Sequence, residues 1–331
     1  MPEPLVIVEH LKKYFPVKAG IMQRTVNWVR AVDDISFDIQ QGETLGLVGE
    51  SGCGKTTAGK SMINLLRPTA GKVFFNTAGD CDRAEYLDLA GLSKHERKQA
   101  RKTVQIIFQN PYSSLNPRMT VFRMMREIIA YHKIVPAGKA TSDHIQKLMA
   151  TVGLQQTDAH KYPHEFSGGQ RQRIGIARAL LIDPKLIVCD EPVSALDVSI
   201  QAQIINLLVG LKRKLGLTYL FIAHDLAVVK HISDRIAIMY LGKIVEIAPR
   251  HEFYANPLHP YTEALLSAVP APDPDRKKKR ILLTGEVPSP MNIPSGCRFR
   301  TRCPIAKAVC RQEEPPLTKR NTDHKVACHF R

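Results

Sequence analysis

The sequence predicts an α/β fold: a phosphate-loop core with an N-terminal antiparallel β layer, an inserted helical subdomain and a small Cys-rich C-terminal extension. Three observations carry that expectation. The apolar run at residues 44–48 ends in a glycine-rich loop, and a helical pattern follows it; this is the strand–loop–helix order that cradles phosphate groups. Two more apolar runs, 186–189 and 219–223, end in Asp190 and His224, as central parallel strands do when their C-terminal ends carry function. The stretch from about 92 to 162 is rich in helix formers, with apolar residues at helical spacing over 118–132 and 143–152.

Taken in order, residues 5–8 and 36–39 read as strands of the opening β layer. A buried strand at 44–48 feeds the loop, and residues 56–66 read as a helix stopped by Pro68. The helical subdomain extends over about 92–180, and its last helix covers 171–181. Residues 237–240 and 243–248 read as a hairpin. A proline-rich break at 270–274 suggests a boundary, giving a nucleotide-binding domain over 1–270 and an extension over 271–331. Beyond the break the tail holds Pro288, Pro290, Pro294, Pro304, Pro315 and Pro316 with little periodicity, so a staple is expected to order it.

The chain has 47 basic and 31 acidic residues, a net charge of +16, which suits nucleic acid, anionic headgroups or nucleotide phosphates. Part of the excess lies in runs at 94–102 and 276–280, whose ordinary role is a solvated face. A single Trp and 6% aromatic residues argue against a base-stacking platform. No apolar stretch approaches the roughly 18 residues of a membrane span. The first residues carry Glu3 and Glu9, unlike a secretory signal. The expected location is the cytosol, with any membrane contact made through a partner or the surface.

Gly49-Glu50-Ser51-Gly52-Cys53-Gly54-Lys55-Thr56, followed by Thr57, fits the phosphate-loop pattern. Its glycines let backbone N–H groups face phosphate, Lys55 reaches the β/γ oxygens, and the Thr56 hydroxyl ligates Mg²⁺. Asp190 and Glu191 close a buried strand, where Asp190 would hold Mg²⁺ through water and Glu191 would polarise an attacking water. Ser167-Gly168-Gly169-Gln170 opens a helix; a hydroxyl, bare glycine amides and a helix N-terminus make an anion site.

Of seven cysteines, Cys53, Cys81 and Cys189 are scattered, whereas Cys297, Cys303, Cys310 and Cys328 follow C-x5-C-x6-C-x17-C. In a cytosolic chain such a cluster reads as a metal site before disulfides. Four thiolates suit a 4Fe–4S cluster or structural Zn²⁺, and the spacing matches neither common zinc fingers nor ferredoxins. His324 and His329 are nearby alternative ligands. Four buried structural thiols are the plainer reading.

The order Gly49–Thr56, Gln109, Ser167–Gln170, Asp190-Glu191, Ser194–Asp197 and His224 resembles the ATP-binding-cassette ATPases over roughly residues 5–270. The resemblance implies ATP and Mg²⁺ as cofactors. It implies that Gln109 senses the γ-phosphate and Mg²⁺ beside the surface that docks a membrane subunit, and that His224 contacts the γ-phosphate. Asp197 would lie in the loop that communicates across a dimer, and Phe15, with Tyr14 in reserve, would stack on adenine. Ser167–Gln170 resembles the family's signature loop, with Phe166 in place of its usual leading leucine. Ser167–Gln170 would act on the nucleotide of a second chain, so the isolated monomer is expected to be nearly inactive.

A narrower resemblance rests on residues 108–117, Asn256-Pro257-Leu258-His259-Pro260-Tyr261-Thr262, and Gly285-Glu286-Val287-Pro288-Ser289-Pro290 leading to Gly296-Cys297. These resemble the dipeptide/oligopeptide branch of importers, in detail the second of its two paired ATPase subunits. That implies peptide import with two permease subunits, a paralogous ATPase subunit (a heterodimer favoured over a homodimer) and an extracytoplasmic substrate-binding protein, on the cytoplasmic face of the membrane. Family members with this tail are similar to iron–sulfur proteins, which favours the cluster over zinc. The same subunit type also serves other solutes, such as metal chelates or oligosaccharides. A nucleic-acid machine is set aside, since only about 110 residues separate Thr56 from Ser167, with no sustained heptads and a single cassette.

Overall fold

The computed structural model describes residues 4–76, 86–89, 91–92, 94–110, 114–269, 280–321 and 323–331. The expected break at 270–274, most of the basic run 276–280, Cys81 and Pro111-Tyr112-Ser113 lie outside the described residues. The chain divides into two compact units, Met1–Gly91 with Ala223–Arg331, and Leu92–Ile222.

In the first unit, β1 (Pro4–Ala19) and β2 (Arg24–Gln40) form an antiparallel hairpin. Leu5, Val6, Val8 and Leu11 of β1 and Val32, Ile35, Phe37 and Ile39 of β2 are buried, and these are the inner ends that the apolar pattern picks out. The strands run much further than residues 5–8 and 36–39. Lysines, Pro16 and register shifts break the alternation over the outer half, so periodicity does not mark it. β3 (Thr44–Val48) is buried at all five residues and leads through the phosphate loop into α1 (Lys55–Met62). That helix ends earlier than expected: Asn64 takes φ 54°, and the amides of Leu65 and Leu66 fold back onto the Lys60 carbonyl, a left-handed stop. β4 (Ala70–Asn76) and β5 (Tyr86–Asp88) complete a sheet ordered β2-β1-β4-β5. Pairing of β1 with β4 ends at Lys12, so the outer hairpin continues as a two-stranded arm.

The second unit carries α2 (Lys94–Thr103), β6 (Val104–Ile107), α3 (Val121–His132), α4 (Lys139–Thr151) and α5 (Gly168–Leu180). β7 (Leu186–Asp190), α6 (Val198–Leu215) and β8 (Thr218–Ala223) follow. β6, β7 and β8 are parallel neighbours, and β7 and β8 are buried throughout, which explains their unbroken apolar sequences. α3 is capped by Thr120, which accepts from Arg123 N, and buries Val121, Met124, Met125 and Ile129 along one stripe. α4 buries Thr141, Ile145 and Met149 at four-residue spacing.

The chain then returns to the first unit with α7 (Leu226–Ile232), β9 (Arg235–Tyr240) and β10 (Lys243–Pro249). β9 lies parallel to β3 and forms the expected hairpin with β10. Leu241 and Gly242 both have positive φ (43° and 79°), as a two-residue turn between twisted strands requires. α8 (Arg250–Ala255) and α9 (Pro260–Ser267) follow, then α10 (Val309–Gln312). The tail does more than loop: β11 (Thr318–Lys319) and β12 (Lys325–Val326) extend the sheet in the order β11-β12-β10-β9-β3. Val326 is fully buried there. Two-residue strands carry no periodic signal, so the sequence reads as loop.

Candidate nucleotide site and signature loop

The phosphate loop is held from below and from the side by its own unit. Gly242 N, in the β9–β10 turn, donates to the Cys53 carbonyl at 2.9 Å. Gly54 caps α1 at φ 109°, and a Cβ there would lie 2.0 Å from the Ala31 carbonyl oxygen, so only glycine fits. Lys55 is 4% exposed, and its ammonium donates to the carbonyls of Gly49 at 2.7 Å and Glu50 at 3.0 Å. Thr56 and Thr57 lie half-buried on the first turn of α1, Ser51 and Gly52 are exposed, and Gly49 and Cys53 are buried. Burial pushes the Cys53 thiol above its ordinary pKa. A loop of this shape, with glycine amides before a helix N-terminus and an adjacent lysine and threonine, fits a nucleotide phosphate with Mg²⁺.

Glu50 is the most heavily anchored residue of the loop. Its amide donates to the Tyr261 hydroxyl at 3.0 Å. Its carboxylate takes a two-pronged grip from Arg302, Nη1 to Oε2 at 2.9 Å and Nη2 to Oε1 at 3.2 Å. Sequence reasoning missed both partners. Tyr261 stands in the motif 256–262, but a separation of 211 residues gives no local cue, and Arg302 is 252 residues away. Nearby, Arg298 bonds Asp33 and the Leu241 carbonyl, and Tyr14 donates to Asp33. Burial opposes ionisation of Asp33, yet these hydrogen bonds hold its carboxyl below the usual range. Burial and the bond to Asp33 push the Tyr14 phenol up to about 12. Tyr14 is thereby engaged in holding the hairpin, while Phe15 next to it is half-exposed with Lys13 Nζ 5.0 Å from its ring centroid.

In the second unit, β7 ends at Asp190, 1% exposed, and Glu191 follows with φ 46°. Gln109, just beyond β6, donates from Nε2 to Glu191 Oε2 at 3.0 Å. The structure thus brings together Gln109 and Glu191, which lie 82 residues apart. Ser167 is the N-cap of α5: its hydroxyl accepts from Gln170 N at 3.3 Å, and Gln170 Oε1 accepts from Ser167 N at 3.0 Å. This reciprocal capping box leaves Ser167 and Gln170 exposed and Gly168 and Gly169 half-buried. Asp197 is the exposed N-cap of α6 and makes no side-chain capping bond. His224 is exposed directly after β8, ahead of Asp225, which caps α7 by accepting from Ala227 N at 2.7 Å.

The tail thiols Cys297, Cys303, Cys310 and Cys328 line one cavity together with His329 and Phe330. Burial, reinforced by the three other thiols, pushes Cys297 up to about 11. Among the described residues no group of three or more His, Cys, Asp or Glu is arranged to hold a metal ion. His324 does not belong with the thiols. It is fully buried and meets Glu246 Oε1 at 2.7 Å, where Glu246 also accepts from Leu258 N and His259 N. Its role is to seat the tail against β10. His329 bonds the Glu313 carbonyl at 3.1 Å.

A phosphate loop on a parallel strand, an acidic strand end bridged to a glutamine, and a capped serine–glycine helix start define a nucleotide-binding cassette. Residues 32–194 match the ABC transporter family, and residues 245–310 match the oligopeptide/dipeptide transporter C-terminal region. The chain is 51% identical over 331 residues (99% of this chain, 98% of the relative) to the oligopeptide transport ATP-binding protein AppF of Bacillus subtilis (strain 168). It is 51% identical over 328 residues (98% and 95%) to the oligopeptide transport ATP-binding protein OppF of Salmonella typhimurium. The ATP-binding cassette MJ0796, solved as a dimer in a post-hydrolysis state with ADP and Pi, superimposes with a TM-score of 0.63 at 25% identity, covering 74% of this chain and 98% of that one. The chain belongs to the ABC transporter family and is one of its ATP-hydrolysing cassettes. Among the described residues no helix is long and apolar enough to cross a membrane.

Proposed function

We propose that this chain powers the import of di- and oligopeptides from the cytoplasmic face of a membrane, bound to two permease subunits and served by an extracytoplasmic binding protein. The observation that carries the reading is the match of residues 245–310 to the oligopeptide/dipeptide transporter C-terminal region, set within a chain about half identical, end to end, to proteins named for oligopeptide transport. The cassette is assigned to residues 1–270 and the extension to 271–331.

In this reading the loop amides and Lys55 bind the β- and γ-phosphates, and Phe15 packs on the base. By the family resemblance Thr56, Gln109 and Asp190 would hold Mg²⁺, which would neutralise phosphate charge. Glu191, oriented by Gln109, takes the proton of the attacking water, and His224 contacts the γ-phosphate. Ser167–Gln170 binds the nucleotide of a paralogous ATPase subunit, and Asp197 relays closure across that pair. Closure and reopening of the pair then drive alternating access in the permeases. The tail thiols Cys297, Cys303, Cys310 and Cys328 would be the ligands of a 4Fe–4S cluster, with Zn²⁺ as the alternative. They line one cavity but are not drawn together as a ligand set among the described residues, and elemental analysis of anaerobically purified protein separates iron, zinc and no metal.

The test is the ATPase rate of the reconstituted complex against binding proteins loaded with peptide, oligosaccharide or metal chelate. Stimulation by the peptide-loaded receptor is expected. Stimulation only by one of the other two would overturn the peptide assignment while leaving the ATPase intact.

A further inference from the structure

We propose that Arg302, from the cysteine-bearing tail, is a positioning residue of the nucleotide site that neutralises and fixes Glu50 in the phosphate loop. A carboxylate in a loop built to receive polyphosphate is electrostatically unfavourable unless a cation answers it. Arg302 answers it with both prongs, at 2.9 and 3.2 Å. The pairing is partly desolvated, with side-chain exposures of 9% for Arg302 and 27% for Glu50, so screening by salt is weak. The geometry is planar and bidentate, which an ammonium cannot reproduce.

The guanidinium is itself held in place. It lies 6.0 Å from the Tyr240 ring centroid, and Tyr240 packs against Tyr261 and Phe299 at centroid distances of 4.8 and 5.3 Å. Tyr261 also receives the Glu50 amide. The backbone of Arg302 is fixed by a turn framed by two thiols: Cys297 N donates to Cys310 O at 2.9 Å, Arg300 N to Cys297 O at 3.1 Å, and Arg302 N to Phe299 O at 3.0 Å. Cys303 follows immediately. Glu50 lends its carbonyl to the Lys55 ammonium, so the residue that Arg302 grips also sets where that ammonium rests. The tail is therefore a working part of the ATP site, and its cysteine-framed turn sets the loop's affinity for phosphate.

ATP affinity of the purified full chain, measured by titration calorimetry alongside thermal melting, tests this. Arg302→Met should weaken ATP roughly tenfold and adenosine hardly at all, because the uncompensated carboxylate repels phosphates only. Arg302→Lys should lose about threefold, since charge is kept and the fork is not. The decisive measurement is the double variant Arg302→Met/Glu50→Gln, which should regain most of the lost affinity, a recovery that a merely structural role would not give. ATP affinity unchanged in Arg302→Met, or a double variant as weak as the single one, would overturn the proposal. If Arg302→Met does not fold, Arg302→Lys decides: parallel losses of ATP and adenosine affinity would equally overturn it.

Discussion

The phosphate loop and the signature loop are both glycine-rich entries to a helix, yet they are finished in opposite ways. The phosphate loop is enclosed: Lys55 is buried on its own loop carbonyls, Glu50 is gripped by Arg302 and Tyr261, and the Gly242 turn supports Cys53. The signature loop packs its glycines against Leu196 and Ile200, while its Ser167 and Gln170 side chains bond each other's backbone amides in the capping box and stay exposed. Ser167 Oγ accepts one bond from Gln170 N and retains its own O–H to donate. The first loop has its charged side chains answered by distant parts of its own chain; the second leaves its polar side chains to solvent.

The largest effect should separate chemistry from both loops. Glu191→Gln keeps the Gln109 contact sterically possible but removes the base, and hydrolysis in the assembled complex should fall by about 10²–10⁴-fold, with an ATP-bound pair accumulating in size-exclusion runs. Near-normal turnover would remove Glu191 from the role of base. Lys55→Ala strikes the enclosed loop, and ATP affinity of the single chain should drop by roughly a hundredfold, about 2.7 kcal/mol; retained affinity in a fluorescent-nucleotide titration would refute the phosphate role. Ser167→Ala sharpens the contrast. It should leave ATP affinity of the isolated chain intact while lowering the assembled ATPase rate about tenfold, and losing the N-cap should cost about 1 kcal/mol of stability. An affinity loss in the isolated chain would show that the two loops serve one nucleotide.

The enclosed side also carries a pH signature. His259, buried against the tail, accepts from Tyr261 N at 3.1 Å, and burial holds its imidazole down at about 4. The unfolded chain takes up a proton near pH 6.5, the folded chain only near 4. The neutral form therefore contributes stability in full above about pH 6.5, and this is lost as pH falls toward 4. The swing should be about 3 kcal/mol, visible in melts across that window and flattened in His259→Gln. Hydrogen exchange should show the phosphate loop loosening before α5 does.

What the sequence makes legible follows from how local the causes are. The phosphate loop, β3, β7, β8 and the β9–β10 hairpin announce themselves because two-sided burial demands unbroken apolar runs and tight turns demand particular residues. Ser167 and Gln170 are recognisable as a motif, although their capping box was the more local message of the same four residues. The outer hairpin is hidden because Lys13, Pro16 and Lys18 interrupt alternation. The early stop of α1 depends on Asn64 turning left-handed rather than on Pro68. Arg302–Glu50, Arg298–Asp33 and His324–Glu246 span 252, 265 and 78 residues; such pairs arise from tertiary packing, and single charged residues in a strongly basic chain give no warning of them. The same distance hides why a proline-rich tail is ordered.

Glu191 closes β7 with φ 46°, a conformation that costs a non-glycine residue roughly 1–2 kcal/mol. The chain meets that cost at the one position where a carboxylate is asked to face Gln109. Glycine at 191 would relax the backbone and remove the carboxylate in one step, so the most stable version of this strand end is an inert one. Backbone strain and the carboxylate facing Gln109 thus come as one feature at this turn.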